Sequence, residues 1–207
     1  GSGTTPKSDE ESYYGGDTPW VTTGELREGL ITDTKKTVSD KALSEHSALK
    51  QHPAGSIVIA MYGATIGRVA KLGIEATTNQ ACCVFPPSQH IDNDFLYLWL
   101  MGFRDEIVEL GYGGGQPNIS QGTLANLRIA IPKIEEQQSI VSFLSRETTR
   151  IDTLIQKKTR FIELLKEKRQ ALIFHTVTKG LDLKVPMKDS GVDWMGDIPA
   201  HWRLKRM

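Results

Sequence analysis

Apolar and polar positions divide the chain into three stretches of different rhythm. Residues 1–133 carry short apolar runs punctuated by glycine, the pattern of a mixed sheet with tight turns. The run 55–62, introduced by the breaker Pro53, predicts a buried strand. Gly63 and Gly67 bracket a turn, and 68–72 alternates polar and apolar like a partner strand. Residues 78–85 predict a third strand, and 127–131 a last one before Pro132. Between them, Asp92 or Asp94 is placed to cap a helix carrying Phe95, Leu96, Leu98, Trp99, Phe103, Ile107 and Val108. Apolar residues cover most of its circumference, so burial is expected.

The second stretch, 134–179, contains neither proline nor glycine. Leu144, Ile151, Leu165 and Leu172 recur at multiples of seven, with Leu154, Ile155, Phe161 and Ile162 filling the stripe. The pattern predicts one long helix made to pack on another helix. It is an imperfect heptad: Lys158 interrupts the seam, and Glu147 and Lys168 occupy the neighbouring row. At 1.5 Å per residue it would be roughly 65–70 Å long, too long to bury its stripe on a domain of this size. The third stretch, 180–207, has Pro186, Gly191, Gly196 and Pro199 and no sustained period. It reads as a linker and tail whose Trp194 and Trp202 are apolar enough to dock. The fold class is therefore α+β: a mixed β-sheet domain with small helices, then one long α-helix forming a coiled coil.

Composition narrows the function. The chain has 207 residues, 39% hydrophobic and 24% charged, as expected of a globular protein. Lys+Arg and Asp+Glu are both 25, which argues against a free-standing binder driven by charge alone. A recognition subunit whose partners supply basic surface remains compatible with neutrality. Cys82 and Cys83 are adjacent in an apolar run, so on one strand they point to opposite faces. They read as buried thiols of a reducing compartment rather than as a zinc site or disulfide framework. No apolar stretch approaches the ~18 residues of a membrane span and no signal-peptide pattern is seen. The expected location is cytoplasmic, with no membrane contact.

Several chemistries lack their residues. No Gly-x-x-x-x-Gly-Lys-Ser/Thr run occurs, and the glycine-rich run from Gly111 to Gly115 leads into Gln116-Pro117-Asn118 without a phosphate-binding lysine. His46, His52, His90, His175 and His201 are scattered without metal-ligand spacing. Neither a glycine-rich cofactor fingerprint nor an Asn/Asp-Pro-Pro-Tyr/Phe clamp supports a methyltransferase. Asp33-Thr34-Lys35 and Asp182-Leu183-Lys184 keep a metal-dependent nuclease as an alternative, without a second acid to complete a site. No catalytic or metal-binding residue is assigned.

The order of motifs carries more. Gly15-Gly16-Asp17-Thr18-Pro19-Trp20-Val21-Thr22-Thr23-Gly24-Glu25-Leu26 comes first. Tyr62-Gly63-Ala64-Thr65-Ile66-Gly67-Arg68-Val69, then Thr78-Asn79-Gln80-Ala81, then Gly115-Gln116-Pro117-Asn118-Ile119-Ser120 follow. The helix begins at Ile131-Pro132-Lys133-Ile134-Glu135-Glu136-Gln137-Gln138-Ser139-Ile140. It closes with Lys166-Glu167-Lys168-Arg169-Gln170-Ala171-Leu172-Ile173 and Val177-Thr178-Lys179-Gly180. Each block alone is weak, but their ordered combination resembles the specificity subunits of type I restriction-modification enzymes, in a half-length form. The resemblance implies a non-catalytic DNA-recognition subunit. A full-length member has two recognition domains joined by two long helices in an antiparallel coiled coil, each domain reading half of a bipartite site. Methylation subunits would bring S-adenosylmethionine, and restriction subunits ATP- and Mg-dependent translocation and cleavage; this chain itself would bind no cofactor. Residues 1–133 would be the recognition domain, 134–179 the dimerisation helix and 180–207 the linker and docking tail. The competing class is a coiled-coil dimerising interaction module without a DNA role.

Within that resemblance, Arg68 and Lys71 follow a glycine turn and are candidates for reading DNA, against a solvated strand face. Thr22 and Thr23 would contact phosphate or a thymine methyl, or else stabilise a turn. Gln116, Asn118 and Ser120 sit beside the glycine run, although Asn118 or Ser120 would equally cap the short helix that follows. The basic residues of the long helix, Lys157, Lys158, Arg160, Lys166, Lys168, Arg169 and Lys179, read as a solvated flank. Self-association is expected through Leu144, Ile151, Leu154, Ile155, Ile162, Leu165 and Leu172, giving a homodimer and an interrupted palindromic target. A run like that from Ser190 to Trp202 opens a recognition half in the family, so the tail is expected to fold back as a missing first strand.

Overall fold

In a computed structural model, residues 1–111, 118–182 and 184–205 are described. They form two compact units, Gly1–Leu144 and Ser145–Met207.

In the first unit the described strands make two sheets. β1 (Tyr14–Val21) is followed by β2 (Leu30–Ile31), β3 (Thr37–Val38), α1 (Asp40–Glu45), β4 (Ile57–Ala60), β5 (Val69–Leu72), β6 (Thr77–Thr78) and β7 (Cys82–Phe85). One sheet runs β3-β1-β6, the other β2-β5-β4-β7. β1 pairs antiparallel with β3 and parallel with β6; β2 is parallel to β5, and β4 lies antiparallel between β5 and β7. The sheets are mixed, as the glycine-punctuated pattern predicts.

β4 is apolar at every position because both its faces are covered. Val58 and Ala60 join Val21, Leu26, Ala70, Leu72, Cys82 and Val84 in one core. Ile57 and Ile59 join Val69, Cys83, Leu96, Leu100, Ile107 and Ile119 in another. The two cysteines fall on opposite faces, one in each core, and both are free thiols.

Helices α2 (Asn93–Gly102), α3 (Arg104–Glu109) and α4 (Gln121–Ala125) follow. Asp92 caps α2, its carboxylate accepting from the amides of Asp94 at 2.9 Å and Phe95 at 3.0 Å. Three expectations change here. The strand predicted over 78–85 is two strands in different sheets, parted by a turn in which the Cys82 amide donates to the Asn79 carbonyl. The segment 127–131 joins no ladder; its alternation is explained by Leu127 and Ile129 packing on the second core. The expected single buried helix is two, broken at Phe103, and Met101 and Phe103 remain exposed.

A single helix, α5 (Ile134–Lys179), runs for 46 residues from the first unit into the second. Gln137 is its one buried residue. The Asp92 amide donates to Gln137 Oε1 at 2.8 Å, and Gln137 Nε2 donates to the Pro132 carbonyl at 2.8 Å. The glutamine of the Pro-x-x-Glu-Glu-Gln run thus ties the start of α5 to the start of α2. Further along, the heptad stripe is bare: Leu165 is 48% exposed and Leu172 64%.

In the second unit α5 ends at Gly180, whose φ of 80° suits glycine. The residues after it form an antiparallel hairpin of β8 (Met187–Asp189) and β9 (Asp197–Pro199), with Lys188 opposite Ile198. Lys179 Nζ donates to the Asp197 carbonyl at 2.7 Å, fixing the hairpin beside the helix end. Ile198 is buried and Trp202 half-buried, whereas Trp194 is 79% exposed.

Candidate nucleic-acid interface

Four of the motif blocks meet along one edge of the first unit. The amide of Asn79 donates to the Val21 carbonyl at 3.0 Å, joining the end of β1 to the turn after β6. The amide of Met61 donates to Ala81 and that of Ile119 to Met61, both at 2.8 Å. Tyr62 and Asn118 form an isolated antiparallel bridge. Residues far apart in sequence, Thr22, Tyr62, Asn79 and Asn118, are thereby carried on neighbouring loops.

The side chains there divide into those that hold loops and those left with free donors. Thr22 holds a loop: its amide at 2.7 Å and its hydroxyl at 3.1 Å both donate to Glu25 Oε2. Ser120 caps α4, accepting from the Thr123 amide at 2.9 Å. Asn118 is exposed and Thr23 half-exposed, and among the described residues neither side chain has a hydrogen-bond partner. Gln116 lies outside the described residues. Thr78 Oγ1 and Asn79 Oδ1 are buried without a partner among the described residues. An unsatisfied buried polar atom costs about 1–3 kcal/mol, so each of these oxygens is a place where a bound water or another donor would add stability. Asn79 was visible in sequence as part of a block, but only the fold shows its unpaired oxygen.

The turn between β4 and β5 depends on its glycines. Gly63 and Gly67 have φ of 82° and 74°. A Cβ on Gly67 would lie 2.7 Å from Val108 Cγ2, so glycine is needed for space as well as conformation. Beyond it, Arg68 Nε faces Glu28 Oε1 at 3.8 Å, and Arg104 Nη1 reaches the same oxygen at 3.7 Å. Glu28 is held with φ of 52°, its amide donating to the Val69 carbonyl at 3.0 Å. None of these contacts uses the Nη atoms of Arg68, so its terminal fork is left for another acceptor. Lys71 differs: its ammonium sits 2.6 Å from Asp94 at the first turn of α2. Burial, reinforced by Glu28 and Asp94, pushes the Tyr97 phenol above its ordinary range.

The two acid-x-Lys triplets make local turns. Asp33 Oδ1 accepts from the Thr34 amide and Asp182 Oδ1 from the Lys184 amide. Among the described residues no three His, Cys, Asp or Glu side chains gather as a metal site. No helix of the described residues is long and apolar enough to cross a membrane.

A mixed-sheet domain with convergent polar loops, continued by a long helix with an uncovered apolar stripe, defines a recognition module on a helical scaffold. The chain belongs to the type I restriction modification DNA specificity domain family, whose pattern matches residues 1–164. Among its relatives, the MjaIX type I restriction enzyme specificity subunit of Methanocaldococcus jannaschii is 30% identical over 214 residues, covering 99% of this chain and 47% of that protein. The EcoR124I/EcoR124II specificity subunit of Escherichia coli is 27% identical over 169 residues, 79% of this chain and 42% of that one. The chain thus spans less than half the length of these curated relatives. The HsdS subunit of Thermoanaerobacter tengcongensis shares the fold, with a TM-score of 0.63 at 18% identity over 84% of this chain and 40% of that one. A solved chain of a type I R-M system, from work on its assembly and conformational transition, gives 0.66 at 19% identity over 84% and 41%.

Proposed function

We propose that this chain supplies sequence recognition, not catalysis, to a type I restriction-modification complex, each copy reading one half of a bipartite DNA site. The observation that carries the reading is the convergence of four family blocks on one loop edge with free donors. Thr23, Asn118 and the Nη fork of Arg68 are the reading groups; Glu28 lies 3.8 Å from Arg68 Nε, a charge contact without a hydrogen bond. Thr22 and Ser120 hold the loops, and Lys71 reaches DNA only by leaving Asp94.

The exposed stripe of Ile151, Leu154, Ile155, Ile162, Leu165 and Leu172, with the half-buried Leu144 at its start, pairs with the same stripe of a second copy, antiparallel about a two-fold axis. A helix of 46 residues, about 69 Å at 1.5 Å per residue, then separates two identical domains by about two turns of duplex. The target is an interrupted palindrome. Methylation subunits bringing S-adenosylmethionine, and restriction subunits using ATP and Mg, complete the assembly. The exposed Trp194 gives the tail an apolar group with which to dock on a recognition domain.

Sequencing methylated positions in DNA from cells expressing this chain with methylation subunits tests the reading, and modification without a bipartite motif refutes it. Leu165→Lys tests the pairing. Two buried leucines per dimer contribute about 3–6 kcal/mol together, so light scattering should show the variant as a monomer. A monomeric unmodified chain at high concentration would exclude the homodimer.

A further inference from the structure

The loop from Thr32 to Lys36 is exposed, and yet its backbone is fixed at successive points. Glu25 holds it from one side, Oε1 accepting from the Lys35 amide at 2.8 Å while Oε2 holds Thr22. The Lys36 carbonyl accepts from the Trp20 amide at 3.1 Å and from the Thr34 hydroxyl at 2.8 Å. Asp33 Oδ1 accepts from the Thr34 amide at 2.8 Å. The side chains of Lys35 and Lys36 are exposed. Among the described residues neither ammonium has a carboxylate within ion-pair distance, and neither does Arg27. Arg68, Arg104 and Lys71, by contrast, all face Glu28 or Asp94.

Lys35 also forms the ridge between two clefts. One, of about 340 Å³, is lined by Glu25, Arg27 and Asp33; the other, of about 400 Å³, by Tyr14, Lys36 and Thr37. A rigid backbone presenting unpaired ammonium groups beside grooves suits a ligand of regularly spaced anions. The donors loosely placed in three dimensions by four-carbon stems are point charges, suited to phosphate and not to base edges.

We infer that Lys35 and Lys36, held by Glu25, grip the phosphate backbone of the duplex and set the register in which the adjoining loop edge meets the bases. This rests on the DNA-recognition reading above. Glu25 is the positioning residue, since one carboxylate holds both the reading loop at Thr22 and the ridge at Lys35.

The test is a salt titration of binding to a duplex of random sequence, using the full chain assembled with methylation subunits. Each phosphate contact contributes about 0.9 to the slope of log K against log salt. The double variant Lys35→Ala with Lys36→Ala should therefore lower the slope by about 1.8 per recognition domain. It should weaken random and specific duplexes by the same factor, and Lys35→Arg with Lys36→Arg should restore the slope. Removing two charges elsewhere, by Lys157→Ala with Lys166→Ala, should leave it unchanged; an equal fall there would overturn the ridge as a local site. Retained binding with an unchanged slope in the ridge variant overturns the ridge alone. No salt-dependent binding by the unmodified assembly overturns the DNA reading and the ridge together.

Discussion

Replacing Gln137 by Ala should destabilise the first unit more than any other single change at the start of α5. The side chain is 1% exposed and spends both ends on backbone groups, accepting from the Asp92 amide and donating to the Pro132 carbonyl. Truncation leaves that amide and carbonyl without this partner, at about 1–3 kcal/mol for each buried group. Water admitted to the vacated space would recover part of the loss, so about 2–4 kcal/mol is expected. Urea denaturation followed by circular dichroism measures it, and thermal melting should move by roughly 5–15 °C for a unit of this size. Gln137→Glu separates hydrogen bonding from packing. An ionised carboxylate cannot donate to Pro132 and is costly when buried, whereas the protonated acid can donate. Its folded-state pKa is thus raised, so its stability should be fuller below the ordinary carboxylate range and fall as pH rises through the raised value. A loss below about 0.5 kcal/mol for Gln137→Ala, or a pH-independent Gln137→Glu, would refute the argument.

Gly67→Ala should cost about 1–3 kcal/mol by melting, because φ is positive and its new Cβ meets Val108 at 2.7 Å. Arg68→Ala should weaken specific binding by about 1–3 kcal/mol and relax preference at one position per half-site in a binding-site selection; equal loss on random duplex would make Arg68 a phosphate contact instead. Burial, with smaller contributions from Glu25 and Cys83, pushes the Cys82 thiol up to about 12, so in the folded chain it should resist iodoacetamide at pH 8. The raised value means stability from Cys82 is full below its ordinary 9.0 and is lost as pH climbs towards about 12, which alkaline unfolding curves of Cys82→Ala would reveal by a flatter decline.

The long helix and the buried β4 were legible because each follows a single local rule. Residues 134–179 lack glycine and proline and repeat every seven, and the structure has one helix with those same ends. The segment 78–85 was harder, since nothing local tells β6 from β7. The chain changes sheets at Asn79 because Val21, distant in sequence, takes its amide. Residues 127–131 misled for the opposite reason: alternation reports which side chains are covered, and Leu127 and Ile129 are covered without strand pairing. At the candidate site, family blocks indicated the loops but not the division of labour. That Thr22 and Ser120 hold loops, and that Lys71 is tied to Asp94, depends on partners only folding supplies. The Glu25 clamp on Lys35 escaped sequence reading altogether, as the two residues belong to no common motif.

The parallel strand pairs have a kinetic consequence. Trp20 meets Thr77 and Leu30 meets Lys71 only after long loops close, whereas α5 is built from contacts within single turns. Non-local pairing slows folding by orders of magnitude relative to helix growth. Synthesis from the N-terminus at about 5–20 residues per second offsets this, because the sheets emerge well before the apolar stripe is complete. A domain already folded has its apolar cores covered before the late stripe can stick to them. Cell-free synthesis with the helix made first, α5 fused ahead of Gly1, should therefore yield less soluble chain than the native order.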